Sequence, residues 1–445
     1  MGWDFSTEPE FQEKLDWANA FVRNELEPLD IIFPGQEWLP LDGERRKVIP
    51  GLQDQVRKQG LWAPHLDPEL GGQGFGAVKL CLINEILGRT TWASVAFGTM
   101  APDTGNSEIL ARFGTEEQKA TYLEPLLAGE IKSCFSVTEP QGGGDPKVFT
   151  TIAVKDGDDW MINGRKYFSS NADVAQFLIV MAITDPEQSV VRGSSLFVIP
   201  RGTPGIIFED NHHLHATRDY EAHHGLLHYD NVRVPDSAML GPVNAGFQVM
   251  QTRMAGGRLH MSMRAIGLCN RIIEMIGERA KSRFTQGSSL ADKQFVQGFL
   301  ADSYIELLQY RMMVLHASWL VDQGDTVGAR REIAAVKATM PRVVRNIVER
   351  GIQIHGALGT TDKLPLMKWL GNTMVYGIAD GPTDVHRANL GKALLKDFEP
   401  AADEWPTEFY DYRLARAKEK YGDLLTSIPH LPPARVPNWQ AELEW

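Results

Sequence analysis

Asp380 lies in the stretch Val375–Arg387, between an apolar run from Met374 to Ala379 and the Gly381-Pro382 break. The pattern places a carboxylate at a helix-to-loop boundary, held against apolar neighbours such as Ile378 and Ala379. Keeping a carboxylate there is costly unless it is paired or chemically useful, and the chemistry of a carboxylate is to take or give a proton. A second reading is structural. Pro382 suits the first turn of a following helix, with Thr383 and Asp384 beside it, and Asp is common just before a helix start, where it caps. The local sequence leaves both readings open.

Two other clusters of reactive residue types point away from chemistry. His212, His213, His215, His223, His224 and His228 are close in sequence but lack the i, i+4 helical pairing with a carboxylate that a metal site favours. They are expected in a polar loop before a strand, and no metal is expected. Gly71-Gly72-Gln73-Gly74 reads as a turn, because no Lys-Ser/Thr follows it as in a phosphate cradle. No G-x-G-x-x-G follows a strand, so a classical dinucleotide fold is not indicated.

The elements that must position Asp380 come from 445 residues with a formal net charge of -12. At roughly 100–200 residues per domain, two or three domains are expected. The acidic balance argues against nucleic-acid binding. No apolar run approaches the roughly 20 residues of a membrane span. Cys81, Cys134 and Cys269 sit in separate apolar stretches and read as buried free thiols in a reducing compartment. Met1–Asp30 is acidic and amphipathic, unlike a signal or transit peptide, so a cytoplasmic location is expected.

Residues 1–130 read as a helical domain, with helices over Glu8–Leu26, Glu44–Gly60, Ala77–Leu87, Ser94–Phe113 and Thr115–Leu127, the last with a plausible capped start. Over 131–240 the period shortens. Phe149–Lys155, Phe177–Thr184, Leu196–Pro200 and Leu226–Val234 read as strands, with turn signals at Asp156-Gly157-Asp158-Asp159 and Asn163-Gly164. From 241 to 397 long helices return, over Asn244–Phe284, Leu290–Gln323, Val327–His355, Leu364–Tyr376 and Pro382–Asp397, lengths that suit a bundle. Residues 398–445 read as a tail with one helix near Glu408–Tyr421. The expected class is α+β: an all-α N-terminal domain, a small antiparallel β-barrel-like middle domain and a C-terminal four-helix bundle.

That order, together with several separated motifs, resembles the acyl-CoA dehydrogenase flavoproteins over roughly residues 5–396. Gly60-Leu61-Trp62 and Gly114-Thr115-Glu116-Glu117-Gln118-Lys119 resemble the family's N-terminal markers. Phe135-Ser136-Val137-Thr138-Glu139-Pro140 resembles its flavin-facing strand and loop, Ile162-Asn163-Gly164-Arg165-Lys166 its hairpin before the flavin ring, and Gln353-Ile354-His355-Gly356-Ala357 its Gln-x-x-Gly segment. Thr203-Pro204-Gly205-Ile206 and Asp380-Gly381-Pro382 with Val385-His386-Arg387 are most similar to the subgroup of vertebrate family members ten and eleven, without their kinase-like domain.

The resemblance implies an acyl-CoA substrate, FAD, removal of an α-proton, and transfer of a β-hydride to flavin N5. It also implies delivery of electrons to an electron-transfer flavoprotein, in fatty acid metabolism and beta-oxidation. Asp380 stands where most relatives have Glu before Gly381, so it is implied as the base, with its backbone N–H as a donor to the thioester carbonyl. Asp is one methylene shorter than Glu, a loss of about 1.5 Å of reach at a distance-sensitive step. Some relatives carry the base at the position of Gly257, which cannot serve; Arg258 beside it is equally readable as support for the site or as a surface ion-pair residue.

Phe135, Val137 and Thr138 match flavin-lining positions. Gly144 replaces a common Ser that contacts flavin and thioester. Phe168 replaces a Trp, followed by Ser169 and by Ser170, which matches a hydroxyl position. Arg283 and Thr285 match an Arg-x-Thr at the pyrophosphate, Gln353 and Ala357 the adenosine side, and Pro382, Thr383 and Asp384 further FAD-facing positions. The 283–285 and 353–357 regions are implied to meet across a subunit interface, with Arg283 and Gln353 approaching one cofactor from different subunits, hence a homodimer or homotetramer. Trp92, Phe97, Met250 and Met254 are bulky candidates for the acyl pocket. Two alternatives are a flavin oxidase on the same fold, such as a nitroalkane-oxidase-like enzyme with an Asp base, and a non-catalytic assembly subunit.

Overall fold

A computed structural model describes residues 5–214 and 223–424. Helix α1 (Pro9–Phe21) starts with Pro at its first turn and buries Phe11, Leu15, Ala18 and Phe21 at steps of three and four, as the apolar spacing requires. Helix α2 (Gly43–Lys58) and α3 (Gly76–Leu87) follow. The single helix expected over Ser94–Phe113 is instead two, α4 (Thr91–Ala96) and α5 (Asp103–Phe113). Gly98 takes φ +66 between them, and a Cβ there would lie 2.8 Å from the Trp62 ring, so the backbone presses on that ring and turns. Thr115 opens the next helical stretch with a capping box: its hydroxyl accepts the Gln118 N–H while the Gln118 side chain accepts the Thr115 N–H, both at 3.1 Å.

The middle region is an eight-stranded sheet: β1 (Ser133–Ser136), β2 (Ile152–Asp156), β3 (Asp159–Ser170), β4 (Phe177–Ile183), β5 (Ser194–Pro200), β6 (Ile206–His213), β7 (His223–Pro235) and β8 (Met239–Leu240). Its order is β6-β7-β3-β1-β4-β5-β8, with β2 beside β3 and β4. The sheet is not wholly antiparallel. β1 pairs with β4 in parallel, from Ser133↔Phe177 to Ser136↔Val180, because the long excursion through β2 and β3 brings the chain back in the same direction.

The Gly157 turn joins β2 to β3 as expected, with φ +64. Asn163-Gly164 is not a turn: it lies inside β3, opposite a bulge in β7, where Asp230 and Asn231 face the single residue Asn163. The histidine cluster is also placed differently. His212 pairs with His224 and His213 with His223 across β6 and β7, and His228 lies on β7, so these residues belong to two paired strands rather than a loop; His215 falls outside the described residues.

The C-terminal helices are α6 (Gly246–Ser282), α7 (Gln294–Asp322), α8 (Thr326–His355), α9 (Leu366–Tyr376) and α10 (Thr383–Leu394). α6, α7 and α8 pack on one another, α9 packs on α8, and α3 packs against α6 and α7. Their shared core holds Met263, Ile266, Tyr310, Val336, Met340 and Val344. By compactness the chain divides after Leu390. The second unit carries helix α11 (Tyr410–Tyr421), with Trp405 stacked on Phe409 at 4.9 Å. Cys81, Cys134 and Cys269 are buried and free. No described helix is long and apolar enough to cross a membrane.

Candidate active site

A cavity of about 1920 Å³ opens between the sheet and the bundle, and Asp380 lines it. Asp380 sits in the turn between α9 and α10 at φ +56, followed by Gly381 at φ +103. Asp and Asn are among the few non-glycine residues that take this left-handed geometry readily. The turn is pinned from three sides. The Thr383 N–H donates to Gly377 O at 2.9 Å, Arg258 Nε donates to Asp380 O at 2.8 Å, and His386 Nε2 lies 3.3 Å from the same oxygen. Burial lowers the pKa of His386, and the Arg258 charge lowers it further, so the ring is neutral at pH 7 and bonds this carbonyl through a proton on Nε2.

The Asp380 carboxylate accepts no hydrogen bond among the described residues, and neither does its N–H donate one. It therefore does not cap α10. Ile378, expected to shield it, is 69% exposed, so that flank is not the apolar wall the sequence suggested. Across from the carboxylate, a Cβ on Gly257 would lie 3.7 Å from Asp380 Oδ2. Arg258 lines the cavity and bonds the Asp380 backbone, with no ion pair within 4.0 Å among the described residues.

Three cations surround this carboxylate, and its charge favours each of them: Arg253, Arg258 and Lys337. Lys337, on α8, is fully buried and donates to Tyr376 O at the end of α9. Burial brings its pKa down to about 8, against the pull of Asp380.

The opposite wall comes from β1 and β3. Phe135, Val137, Thr138, Gly144, Phe168, Ser170 and Pro382 all line the cavity. Thr138 O accepts the Tyr167 N–H at 2.8 Å, but the Thr138 N–H and hydroxyl bond nothing among the described residues. Ser170 is held by His224 Nδ1 at 2.9 Å. Phe168 takes φ +52 and stands 46% exposed in the sheet wall. Gly144 has a steric reason to lack a side chain: a Cβ would meet Pro382 Cγ and Cδ at 3.3 Å, tighter than ordinary contact.

Not every expected residue reaches the cavity. Ser169 is fully buried, 2.8 Å from Ser136 Oγ, which also accepts the Tyr229 hydroxyl at 2.9 Å; alternation along β3 turns it away when Ser170 faces in. Thr383 bonds within its own turn, and Asp384 faces solvent 3.6 Å from Arg387. Trp92 and Phe97 lie in the core of the N-terminal helices, whereas Met250 and Met254 line the cavity.

Arg283, Thr285, Gln353 and Ala357 line a second cavity of about 470 Å³, which shares no lining residue with the first. Arg283 and Gln353 were expected to meet one cofactor from different subunits. They are instead neighbours on one chain, because the end of α6 and the end of α8 come together there, and they would act from the same side.

The residues present fit a flavin. Ligand pockets usually hold about 300–1,000 Å³, so the main cavity has room for a planar ring system and an acyl chain together. Thr138 offers a donor pair without a partner, Phe135 and Phe168 offer apolar walls, and the second cavity brings a guanidinium to suit a phosphate.

The wall is anchored by a pair that sequence reasoning passed over. Lys166 and Glu139 are both 1% exposed and meet at 2.8 Å; Lys166 also donates to Val137 O at 2.9 Å, and Glu139 accepts the Thr150 and Thr151 N–H groups. Burial alone would raise the Glu139 carboxyl, but the Lys166 charge and the Thr150 and Thr151 bonds outweigh it and hold the pKa at about 2. Burial brings Lys166 down to about 8 against the pull of Glu139, so at neutral pH the pair is charged.

Because the folded pKa of Glu139 lies below its unfolded value of 4.5, its contribution is present above pH 4.5 and is lost as pH falls through about 2. Glu139→Gln leaves Lys166 buried without a counter-charge and should cost about 3–5 kcal/mol in urea unfolding at pH 7, with a shallower loss of stability between pH 4.5 and 2 than the wild type shows. An unchanged urea midpoint would remove the pair as the anchor.

Residues 8–130, 134–232 and 244–395 match, in turn, the N-terminal, middle and C-terminal domains described for acyl-CoA dehydrogenase. A Mycobacterium tuberculosis protein named probable acyl-CoA dehydrogenase FadE2 is 36% identical over 360 residues, 80% of this chain and 88% of that one. Acyl-CoA dehydrogenase family member 10 of Mus musculus is 34% identical over 359 residues, 79% of this chain but 34% of that longer protein. Among solved structures, butyryl-CoA dehydrogenase from Megasphaera elsdenii superposes with a TM-score of 0.75 at 25% identity, covering 88% of this chain and all of that one.

Proposed function

The chain belongs to the acyl-CoA dehydrogenase family, an FAD-dependent oxidoreductase family, and on that premise we propose that it desaturates an acyl-CoA thioester between Cα and Cβ with Asp380 as the α-proton base. One observation carries the reading: the Asp380 carboxylate and N–H both lack hydrogen-bond partners among the described residues, at a turn whose carbonyl is held by Arg258 and His386. An unsatisfied acceptor and donor on one residue suit a base and an oxyanion donor acting on adjacent atoms of the thioester.

The carboxylate takes the α-proton, and the N–H bonds the thioester oxygen as charge develops on it. Arg258 fixes the backbone from behind, so the carboxylate keeps its position while the proton moves. Phe135 and the β1–β3 wall exclude water from the face opposite Asp380. FAD, if bound in this cavity, would supply the acceptor for the β-hydride. Thr138 would hold its pyrimidine edge, with Val137 and Ser170 alongside and Arg283, Thr285, Gln353 and Ala357 on the adenosine side.

Anaerobic mixing with straight-chain acyl-CoAs should bleach the flavin absorbance, and bleached enzyme should reoxidise slowly in air and quickly with electron-transfer flavoprotein. Fast reoxidation by oxygen alone would favour an oxidase, and a protein that purifies colourless and cannot be reconstituted would favour an assembly role. Buried free thiols support a reducing, cytoplasmic setting.

The separation of the two cavities supports a homodimer or homotetramer, in which the Arg283 cavity of one chain serves the ring site of another. Helix α7 carries an apolar stripe suited to such contact, with Tyr304, Ile305, Leu308 and Met312 between 39% and 62% exposed. Light scattering should give a dimer or tetramer with about one FAD per chain. A monomer that keeps full FAD occupancy would overturn the shared-site reading.

A further inference from the structure

Arg253 occupies a position on α6 that the fold reserves for core residues. It follows Val249 by four and Met250 by three, both buried, so it lies on the inward face of the helix and lines the main cavity. The guanidinium lies 3.9 Å from the centre of the Phe135 ring. Arg253 Nε donates to Asn106 Oδ1 at 3.0 Å, and a terminal nitrogen lies 3.6 Å from Met254 Sδ. Gly105 makes room for it, since a Cβ there would fall 2.6 Å from Arg253 Cγ. Every one of these partners is neutral.

Among the described residues Arg253 forms no ion pair within 4.0 Å. Of the other arginines that line the cavity, Arg258 is engaged with Asp380 O and Arg330 is exposed to solvent, and nearby Lys337 is engaged with Tyr376 O. Three acids act on Arg253 from a distance without pairing with it: Asp380 also serves Arg258 and Lys337, burial raises Glu108 to about 7 against the charges of Arg112 and Arg253, and Asp103 pairs with Lys132 at 3.2 Å. A guanidinium held inside a cavity with no anion in contact among the described residues is costly, and a ligand that brings an anion into contact offsets that cost.

Arg253 and Gly257 are four apart on α6 and so share a face, one turn from each other, and the Asp380 carboxylate stands beside Gly257. Arg253 therefore leaves the helix one turn from Gly257, and the Asp380 charge acts on its guanidinium. We propose that Arg253 receives a carboxylate carried by the acyl group, so that the substrate is the thioester of a short dicarboxylic acid. The planar fork of Arg matches a carboxylate with two parallel hydrogen bonds, which a neutral acyl terminus cannot offer. The inference rests on the dehydrogenase reading above and adds the substrate class to it. It differs from a role for Arg253 in stabilising charge on the thioester, because that charge develops with every acyl group, acidic or not.

The test uses the FAD-loaded enzyme and three pairs of thioesters matched in carbon number: succinyl-CoA with butyryl-CoA, glutaryl-CoA with pentanoyl-CoA, and adipoyl-CoA with hexanoyl-CoA. The readout is kcat and KM for anaerobic flavin reduction. In at least one pair the acidic member should exceed its neutral partner by about tenfold or more in kcat/KM, since a site built to bond a polar group rejects the analogue that lacks it. Arg253→Met should reverse that preference, mostly through KM of the acidic member, and Arg253→Lys, which keeps the charge without the fork, should fall between.

FAD content and melting temperature are measured in parallel; if Arg253→Met does not fold, the wild-type ratios and Arg253→Lys decide. Neutral esters equal to or better than the acidic ones in all three pairs would overturn the inference and leave the dehydrogenase reading intact. Equal losses for acidic and neutral esters in the Arg253 variants would also overturn it, in favour of thioester stabilisation. Bleaching by none of the six would overturn the dehydrogenase reading and the inference with it.

Discussion

Asp380→Asn is expected to slow anaerobic flavin bleaching at least about 100-fold, the low end for loss of a general base, while FAD content and acyl-CoA binding are retained. The local geometry makes this substitution unusually clean. Residue 380 takes φ +56, which Asn adopts about as readily as Asp, so the backbone carbonyl stays under Arg258 and His386. The carboxylate accepts no hydrogen bond among the described residues, so removing its charge breaks no cap there and strands no donor.

Asp380→Glu is a harsher change than the family pattern suggests. It restores the reach of a Glu base but puts a longer side chain at a left-handed residue, at a cost of about 1–2 kcal/mol. Partial activity is therefore expected, with a lower melting temperature. Stopped-flow bleaching with a saturating thioester measures both variants. Wild-type rates in Asp380→Asn would place the base elsewhere.

The long helices were readable because a 3.6-residue apolar period survives wherever one face is buried, as in α1 and α8. The break between α4 and α5 was not, because the apolar character continues through Gly98 and only the approach to Trp62 forces the turn. The parallel β1–β4 pairing was hidden for a similar reason: strand direction is set by the route of the chain between strands, not by the residues in them. Asn163-Gly164, opposite a bulge in β7, shows a turn dipeptide overruled by its partners, since β7 pairs on both sides of it.

At the site, Asp380, Gly257 and the β1–β3 wall could be placed from motifs. Arg253 and Lys337 could not, because a basic residue on a helix usually faces solvent. Their spacing did carry a signal: Arg253 is in register with Val249 and Met250, and Lys337 lies among Ile333, Val336 and Met340. A cation on a core-facing stripe is the pattern that would have identified both. The Glu139–Lys166 pair carried no such signal, since its partners come from two segments that meet only after the sheet forms.

Gly257→Glu in the Asp380→Asn background should restore flavin bleaching by about tenfold or more over Asp380→Asn alone, because proximity sets the effectiveness of a base more than the element that carries it. The position where a Gly257 side chain would begin lies 3.7 Å from Asp380 Oδ2, and apart from its chain neighbours and its own helix backbone no other described atom comes within 4 Å, so a side chain has room to enter. Gly257 is helical, so Glu there also gains up to about 1 kcal/mol of helix propensity. Placed in the wild-type background, the same Glu would stand beside the Asp380 carboxylate, and two like charges in one site hold a proton between them. The single Gly257→Glu variant should therefore bleach more slowly than wild type near neutral pH and recover as pH rises, whereas the double variant, with one carboxylate, should show a simple profile. A double variant as slow as Asp380→Asn, with normal FAD content, would mean that the α-proton is reached only from the turn that carries residue 380.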